Sequence, residues 1–187
     1  MAAGARDLTT LAELKAWIPV SGTTEDTMLQ SLITNVSAWI EQWLSRSLFS
    51  ALTVSTRDGT GTDTMMAEEW PVTAVTSVEV DGKSIPASTG PSVAGYAFSS
   101  TKFLLRGYTF TRGQLNVKLT YTAGYAAIPG EIEQSCLELC ALRYRERPSV
   151  SISSKTLGSG ETVSYTQQDM PKSVLALLNN YKRRLPL

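Results

Sequence analysis

The sequence predicts an α+β fold, a small bundle of about four helices with an inserted, mostly antiparallel β-rich subdomain. Apolar residues recur at helical spacing near both ends of the chain. Between them, residues 48–122 are rich in Thr, Val, Ser and Gly, with turn signals at Asp58-Gly59, Asp81-Gly82 and Thr89-Gly90-Pro91. A chain of 187 residues with 42% hydrophobic content can bury one core of ordinary size.

Residues 1–47 predict two N-terminal helices of the helical core. Residues 10–13 have the Thr-x-x-Glu pattern of a capping box, which predicts a short helix that ends before Pro19. The turn at residues 21–24 is expected to cap the next helix. Over residues 25–45 the apolar side chains fall within an arc of about 160°, which predicts an amphipathic helix of about five turns.

Residues 48–122 predict the inserted β-rich subdomain. Runs of β-branched and aromatic residues, several of them alternating with polar residues, predict its strands. These runs are residues 52–56, 75–80, 96–99, 103–105 and 115–121.

Residues 123–181 predict the C-terminal helices of the same core. A glycine turn at Gly124 and a helix start at Pro129 lead into a helix whose polar stripe is narrow, so we expect it to be the central element of the bundle. The stripe consists of Glu131, Gln134, Glu138 and Arg145. Cys136 and Cys140 lie one turn apart on this helix and are predicted to be buried free thiols.

The end of the chain combines a polar segment, a helix and a basic tail. The serine-rich residues 149–170 predict either a protruding hairpin or a flexible loop. A last helix is predicted to open at Pro171, and the basic, apolar residues 182–187 follow it as a tail.

Composition excludes several kinds of chemistry. The chain has no histidine, which removes Ser-His-Asp and Cys-His nucleophile systems and histidine metal sites. The loop from Asp58 to Asp63 lacks the further oxygen ligands of a calcium site, so a hairpin turn is favoured. We therefore expect no catalytic, metal or cofactor site and no enzymatic activity. No apolar run approaches a membrane span or a signal peptide, so neither a membrane partner nor export is expected.

Charge is unevenly distributed although the net charge is zero. Residues 1–70 carry 4 basic and 9 acidic side chains, whereas residues 141–187 carry 8 and 3. The basic cluster of Arg143, Arg145 and Arg147, with Lys182 to Arg184, allows two interpretations. It is either a helix C-terminus bearing favourable cations or a nucleic-acid contact, and the second makes a nucleic-acid-binding accessory protein the alternative function.

Two stretches of the chain resemble a known family. The opening LTTLAELKAWIPVSGTTEDTMLQSLITNVSAWIEQWLSR and the later YTAGYAAIPGEIEQSCLELCALRYRERPSV, followed by DMPKSVLALLNNYKR, are similar to the head-to-tail connector (adaptor) proteins of long-tailed bacteriophages. The resemblance covers about half the chain, because the β-rich middle matches by position more than by sequence.

The resemblance implies a structural role without a cofactor. It implies a homo-oligomeric ring, usually dodecameric, at the head-tail interface of a virion assembled from proteins made in the host bacterial cytoplasm. The ring would contact the portal protein and a stopper or tail-completion protein, and would continue a channel with non-specific contact to packaged DNA.

Three sets of residues are assigned to these contacts. The tail that docks on the portal corresponds to Tyr181, Lys182, Arg183, Arg184, Leu185 and Leu187. Contacts of the 149–170 segment with a neighbouring subunit or the tail side are assigned to Ile152, Lys155, Leu157, Val163 and Tyr165. The subunit interface is assigned to Arg143, Arg145 and Arg147, because a ring joins two different patches and the two ends of this chain differ in charge.

Overall fold

The computed structural model describes residues 6–147, 154–156, 162–164 and 170–183. The described residues form four α-helices and nine β-strands, and the predicted α+β class is confirmed. The chain divides into two compact units, Met1–Arg46 with Ile128–Leu187, and Ser47–Ala127. The described elements of the first unit are helices and one short strand pair, and the second unit contains the two sheets.

The N-terminal helices of the first unit are α1 (Leu11–Trp17) and α2 (Asp26–Leu44). The capping box is confirmed, because the Glu13 N–H donates to the Thr10 hydroxyl over 3.2 Å and the Thr10 N–H donates to the Glu13 carboxylate over 2.9 Å. The cap predicted for α2 is wrong. Its N-cap is Glu25, which makes no capping side-chain bond, and Lys15 instead pairs with Asp26 in the first turn at 2.6 Å.

The helix α3 (Gly130–Glu146) contacts α1, α2 and α4 (Lys172–Asn179). Its buried residues cover several sides of the helix, as the narrow polar stripe predicts. They are Ile132, Ser135, Cys136, Leu137, Leu139, Cys140 and Ala141. Both cysteines are free and buried, which confirms that prediction. The hydrogen bond with Cys136, together with burial, raises the pKa of the Cys140 thiol.

The second unit contains two antiparallel sheets with a shared apolar core. The first has the order β1 (Ala51–Gly59), β7 (Gly113–Ala123), β3 (Val72–Val80), β4 (Lys83–Ile85). The second has the order β2 (Thr64–Met66), β6 (Lys102–Arg106), β5 (Gly95–Phe98). The core is centred on Tyr121, whose ring meets the edge of Phe103 at a centroid distance of 5.0 Å.

A short strand pair lies within the polar segment of the first unit. The strands β8 (Ser154–Thr156) and β9 (Thr162–Ser164) are antiparallel, with Lys155 opposite Val163. The sequence allows either a hairpin or a flexible loop for this segment. The described backbone has the antiparallel pairing of a hairpin. No helix among the described residues is long and apolar enough to cross a membrane.

Candidate interaction surfaces

A polar cluster joins the start of α2 to the end of α3. The Tyr144 hydroxyl donates to Glu25 over 2.7 Å, and Arg147 pairs with the other oxygen of the same carboxylate at 3.2 Å. The Arg147 guanidinium also lies 5.5 Å from the centre of the Tyr144 ring. The Tyr144 hydrogen bond, assisted by Arg147, lowers the pKa of Glu25, and the same bond raises the pKa of Tyr144.

An apolar groove lies between α2 and α3. Its volume is about 270 Å³. It is lined by Leu32, Asn35, Val36, Trp39, Leu139 and Arg143. The half-buried Arg143 side chain thus borders an aromatic and aliphatic surface, the composition of many protein contact sites.

A second, larger groove lies beside α3 and contains residues of α1 and the start of α4. Its volume is about 450 Å³. It is lined by Trp17, Glu138, Ala141, Leu142, Arg145 and Pro171. Trp17 is 44% exposed, so a large aromatic surface is available here.

The three predicted interface arginines therefore do not form one cluster. Residues 143 and 145 are separated by about 200° around a helix, which directs their side chains to different sides of α3. Arg143 borders the first groove and Arg145 the second. Arg147 is paired with Glu25 of its own fold, and the assignment of all three residues to contacts between subunits stays a prediction.

The beginning of the predicted docking tail is anchored on the bundle. The Tyr181 hydroxyl donates to Glu131 over 2.7 Å, and the Arg183 N–H donates to the Leu44 carbonyl over 3.0 Å. The Lys182 ammonium lies 4.1 Å from the centre of the Trp43 ring. These three residues of the predicted docking tail therefore also contact the rest of the chain. Arg184, Leu185 and Leu187 lie outside the described residues.

The predicted contact residues of the 149–170 segment fall in two groups. Lys155 and Val163 are the central residues of β8 and β9, of which the backbone is described. Ile152, Leu157 and Tyr165 lie outside the described residues.

The two carboxylates of the loop from Asp58 to Asp63 accept hydrogen bonds from nearby residues. Asp58 accepts the Leu115 N–H over 2.7 Å, and Asp63 accepts the Thr64 hydroxyl over 3.1 Å. Among the described residues no group of three acidic or sulfur-containing side chains could hold a metal ion.

One carboxylate pair was not indicated by the sequence. The pKa of Glu133 is raised, first by desolvation and then by the neighbouring Glu13 carboxylate. The hydroxyl and N–H of Thr10 lower the pKa of Glu13. Because Glu13 is engaged in the capping box and neither residue lines either groove, the pair is accounted for by the start of α1.

The fold and these surfaces define a class of protein before any relative is considered. The described residues combine a helical bundle, an inserted sheet unit and two grooves that each contain a tryptophan and an arginine, residue types that are common at protein–protein contacts. Three solved structures with a similar fold are chains of gene transfer agent particles. Chains in the neck of an empty gene transfer agent (GTA) particle computed with C6 symmetry and of a native one computed with C12 symmetry match with TM-scores of 0.60 and 0.59.

These similarities extend over the whole chain at low identity. The two neck chains are 19% and 18% identical, and the matches cover 100% of this chain and 95% and 94% of theirs. A chain in the virion of a native GTA particle matches with a TM-score of 0.56 and 19% identity, over 95% of this chain and 90% of that one. No curated protein matches the sequence.

The sequence model of the head completion protein family matches residues 7–184, and the chain belongs to that family. Membership confirms the predicted class of phage-type head-to-tail connector proteins. It gives no support to the alternative of a nucleic-acid-binding accessory protein.

Proposed function

We propose that this chain is a structural subunit that forms a homo-oligomeric ring at the head-tail junction of a phage-like virion. The family match over residues 7–184 carries the proposal, because it spans both helical ends and the inserted sheet unit. The C6 and C12 symmetries of the necks that contain similar folds favour a ring, and C12 favours twelve copies. The ring lies between a portal protein and a stopper or tail protein and continues the DNA channel.

The C-terminal segment docks on the portal protein, and the residues that precede it are held on the helical bundle. Tyr181, Lys182 and Arg183 contact the bundle at Glu131, Trp43 and Leu44, so the chain leaves the fold near the end of α2. Residues 184–187, Arg-Leu-Pro-Leu, combine a cation with two leucines and suit an acidic and apolar surface. The docking segment therefore consists of residues 184–187, with the three preceding residues as its anchor.

Removal of residues 184–187 tests this assignment. We expect the truncated protein to fold with an unchanged thermal midpoint, because the contacts of Tyr181 to Arg183 remain. It should no longer cosediment with portal-containing heads, and tailless heads should accumulate. Lys172→Ala, at the exposed start of α4, is the control for loss of one cation and should leave attachment intact. Normal attachment of the truncated protein would overturn the docking assignment.

A further inference from the structure

The two sheets of the inserted unit end in four edge strands that differ greatly in length. β2 and β4 have three residues each and β5 has four, whereas β1 has nine. The Arg57 side chain of β1 donates to the carbonyl of Met66, the last residue of β2, and Ser88 and Pro86 hydrogen bond to Tyr96 in β5. Short or covered edges are how proteins avoid unwanted strand pairing. β1 is long, and among the described residues its main chain forms a strand ladder only with β7.

The exposed surface of β1 is apolar and uncharged over most of its length. Leu52 is 65% exposed and Val54 is 58% exposed, and they lie opposite Thr122 and Thr120 of β7. The first charged residue of the strand is Arg57, so residues 51–56 carry no charge that would repel an added strand. A long, uncharged edge with β-branched residues is a template for pairing with another chain.

The strand pair β8–β9 lacks a third strand. Within the described residues, β8 and β9 pair only with each other over three residues each. A two-stranded pair is marginally stable in water and is stabilised by a third strand. β8 has a lysine at its centre, Lys155, which is typical of a protected edge, whereas β9 has the uncharged sequence Thr-Val-Ser.

We propose that β9 of one copy adds to the edge of β1 in the neighbouring copy of the ring. This pairing rests on the proposed ring and names its contact surface. Main-chain hydrogen bonds of β1 supply the attraction, and burial of Leu52 and Val54 adds an apolar contribution. The contact joins two different patches of the chain, so each subunit donates β9 on one side and offers β1 on the other, as a closed ring requires. Pairing over three residues is a weak contact by itself. The same contact is repeated around the ring, so the contacts together bind more strongly than one alone.

Cysteine pairs across the contact provide the test. The native thiols of Cys136 and Cys140 are buried, so oxidation should act mainly on the introduced thiols. Val163→Cys is combined in turn with Leu52→Cys, Val54→Cys and Thr56→Cys, which sample one face of β1. Particles assembled with each double variant are oxidised and run on a non-reducing gel. We expect covalent multimers of the chain for at least one of the three pairs.

Controls separate this pairing from other arrangements. Each single cysteine variant should give monomers, as should Val163→Cys with Val93→Cys, a residue that is 46% exposed outside the four-stranded sheet. Monomers for all three test pairs in particles whose neck contains the ring would overturn the pairing and leave the proposed function intact. A disulfide to a different virion protein would also overturn it. Particles that contain the chain but no ring of it would overturn the proposed function and this pairing together.

A charge on the edge gives a second measurement. Val54→Lys places an edge-protecting cation on β1, whereas Val54→Thr keeps a neutral β-branched side chain. Both variants should fold, because the side chain at position 54 is largely exposed. Complete particles should fall about tenfold or more with lysine, since a loss at every contact of the ring multiplies, and should remain near the wild-type number with threonine. Equal numbers for the two variants would contradict strand addition at this edge.

Discussion

At the scale of single residues, most polar side chains that resembled functional groups are used within the fold. Glu25 accepts the Tyr144 hydroxyl and the Arg147 guanidinium, so it fastens the start of α2 to the end of α3. Glu13 belongs to a helix cap and Asp58 to a strand junction. Among the described residues, those that border the grooves and the exposed side chains of β1 are candidates for intermolecular contact.

Tyr144→Phe tests the Glu25 cluster. Because hydrogen bonding lowers the pKa of Glu25 in the folded protein, its ionised form contributes stability above the unfolded pKa, near 4.5, and that contribution is lost as the pH falls through the folded value. The variant should unfold at a lower temperature than the wild type at neutral pH, and the difference should shrink in acid. Thermal unfolding followed by circular dichroism at several pH values measures both effects.

Tyr96→Phe is the matched control for this prediction. The Tyr96 hydroxyl donates to the Val75 carbonyl over 3.4 Å and meets no carboxylate there, so any loss of stability should be the same across this pH range. A pH-independent loss for Tyr144→Phe would show that the Glu25 carboxylate is not its source.

At the scale of elements, long periodic segments could be predicted from the sequence and short ones could not. The five-turn periodicity of residues 25–45 located α2 (Asp26–Leu44) to within one residue at each end, and the alternation at 115–121 lies within β7. The three-residue strands β2 and β4 were missed, because three residues cannot show a period and their pairing depends on β6 and β3. The Glu25–Tyr144 contact and the two grooves could not be predicted from the sequence either. Glu25 and Tyr144 are 119 residues apart, and each groove is formed by side chains from more than one helix.

Gly124→Ala tests the connection from β7 towards α3. Gly124 has a φ of +110°, and an added Cβ would lie 2.4 Å from the Phe49 carbonyl oxygen. Backbone strain and the clash together should lower the free energy of unfolding by about 3 kcal/mol. Urea denaturation measures the change, and Gly82→Ala is the control. Gly82 also has a positive φ, of +72°, but open space around its Cβ position, so we expect a loss of only about 1 kcal/mol. Equal losses would mean that the Phe49 carbonyl moves aside without cost.

At the scale of the whole molecule, the charge asymmetry of the chain is partly resolved within one copy. Acidic side chains of the N-terminal region meet basic ones from the C-terminal region, as Glu25 meets Arg147. Not all of the asymmetry is used in this way. Arg145 is exposed beside Trp17 in the larger groove, where it can meet an acidic surface of a neighbouring subunit.

Arg145→Glu is the charge reversal that best tests a role of this groove in the ring. Reversal at Arg147 would remove a pair within the fold, and reversal at the half-buried Arg143 would place a carboxylate beside Leu139, so neither variant separates assembly from folding. Arg145 is exposed, and the Arg145→Glu protein should therefore keep its thermal midpoint. Ring formation should weaken by about tenfold or more, because like charges would then face each other across the contact, and added salt should restore part of it by screening. Light scattering of the assembled protein at two salt concentrations measures the effect.

Lys102→Glu, on an exposed position of β6, makes the same change of charge and should assemble as the wild type does. Wild-type assembly by Arg145→Glu would exclude an electrostatic contact at this groove, and the ring would then depend on its other surfaces.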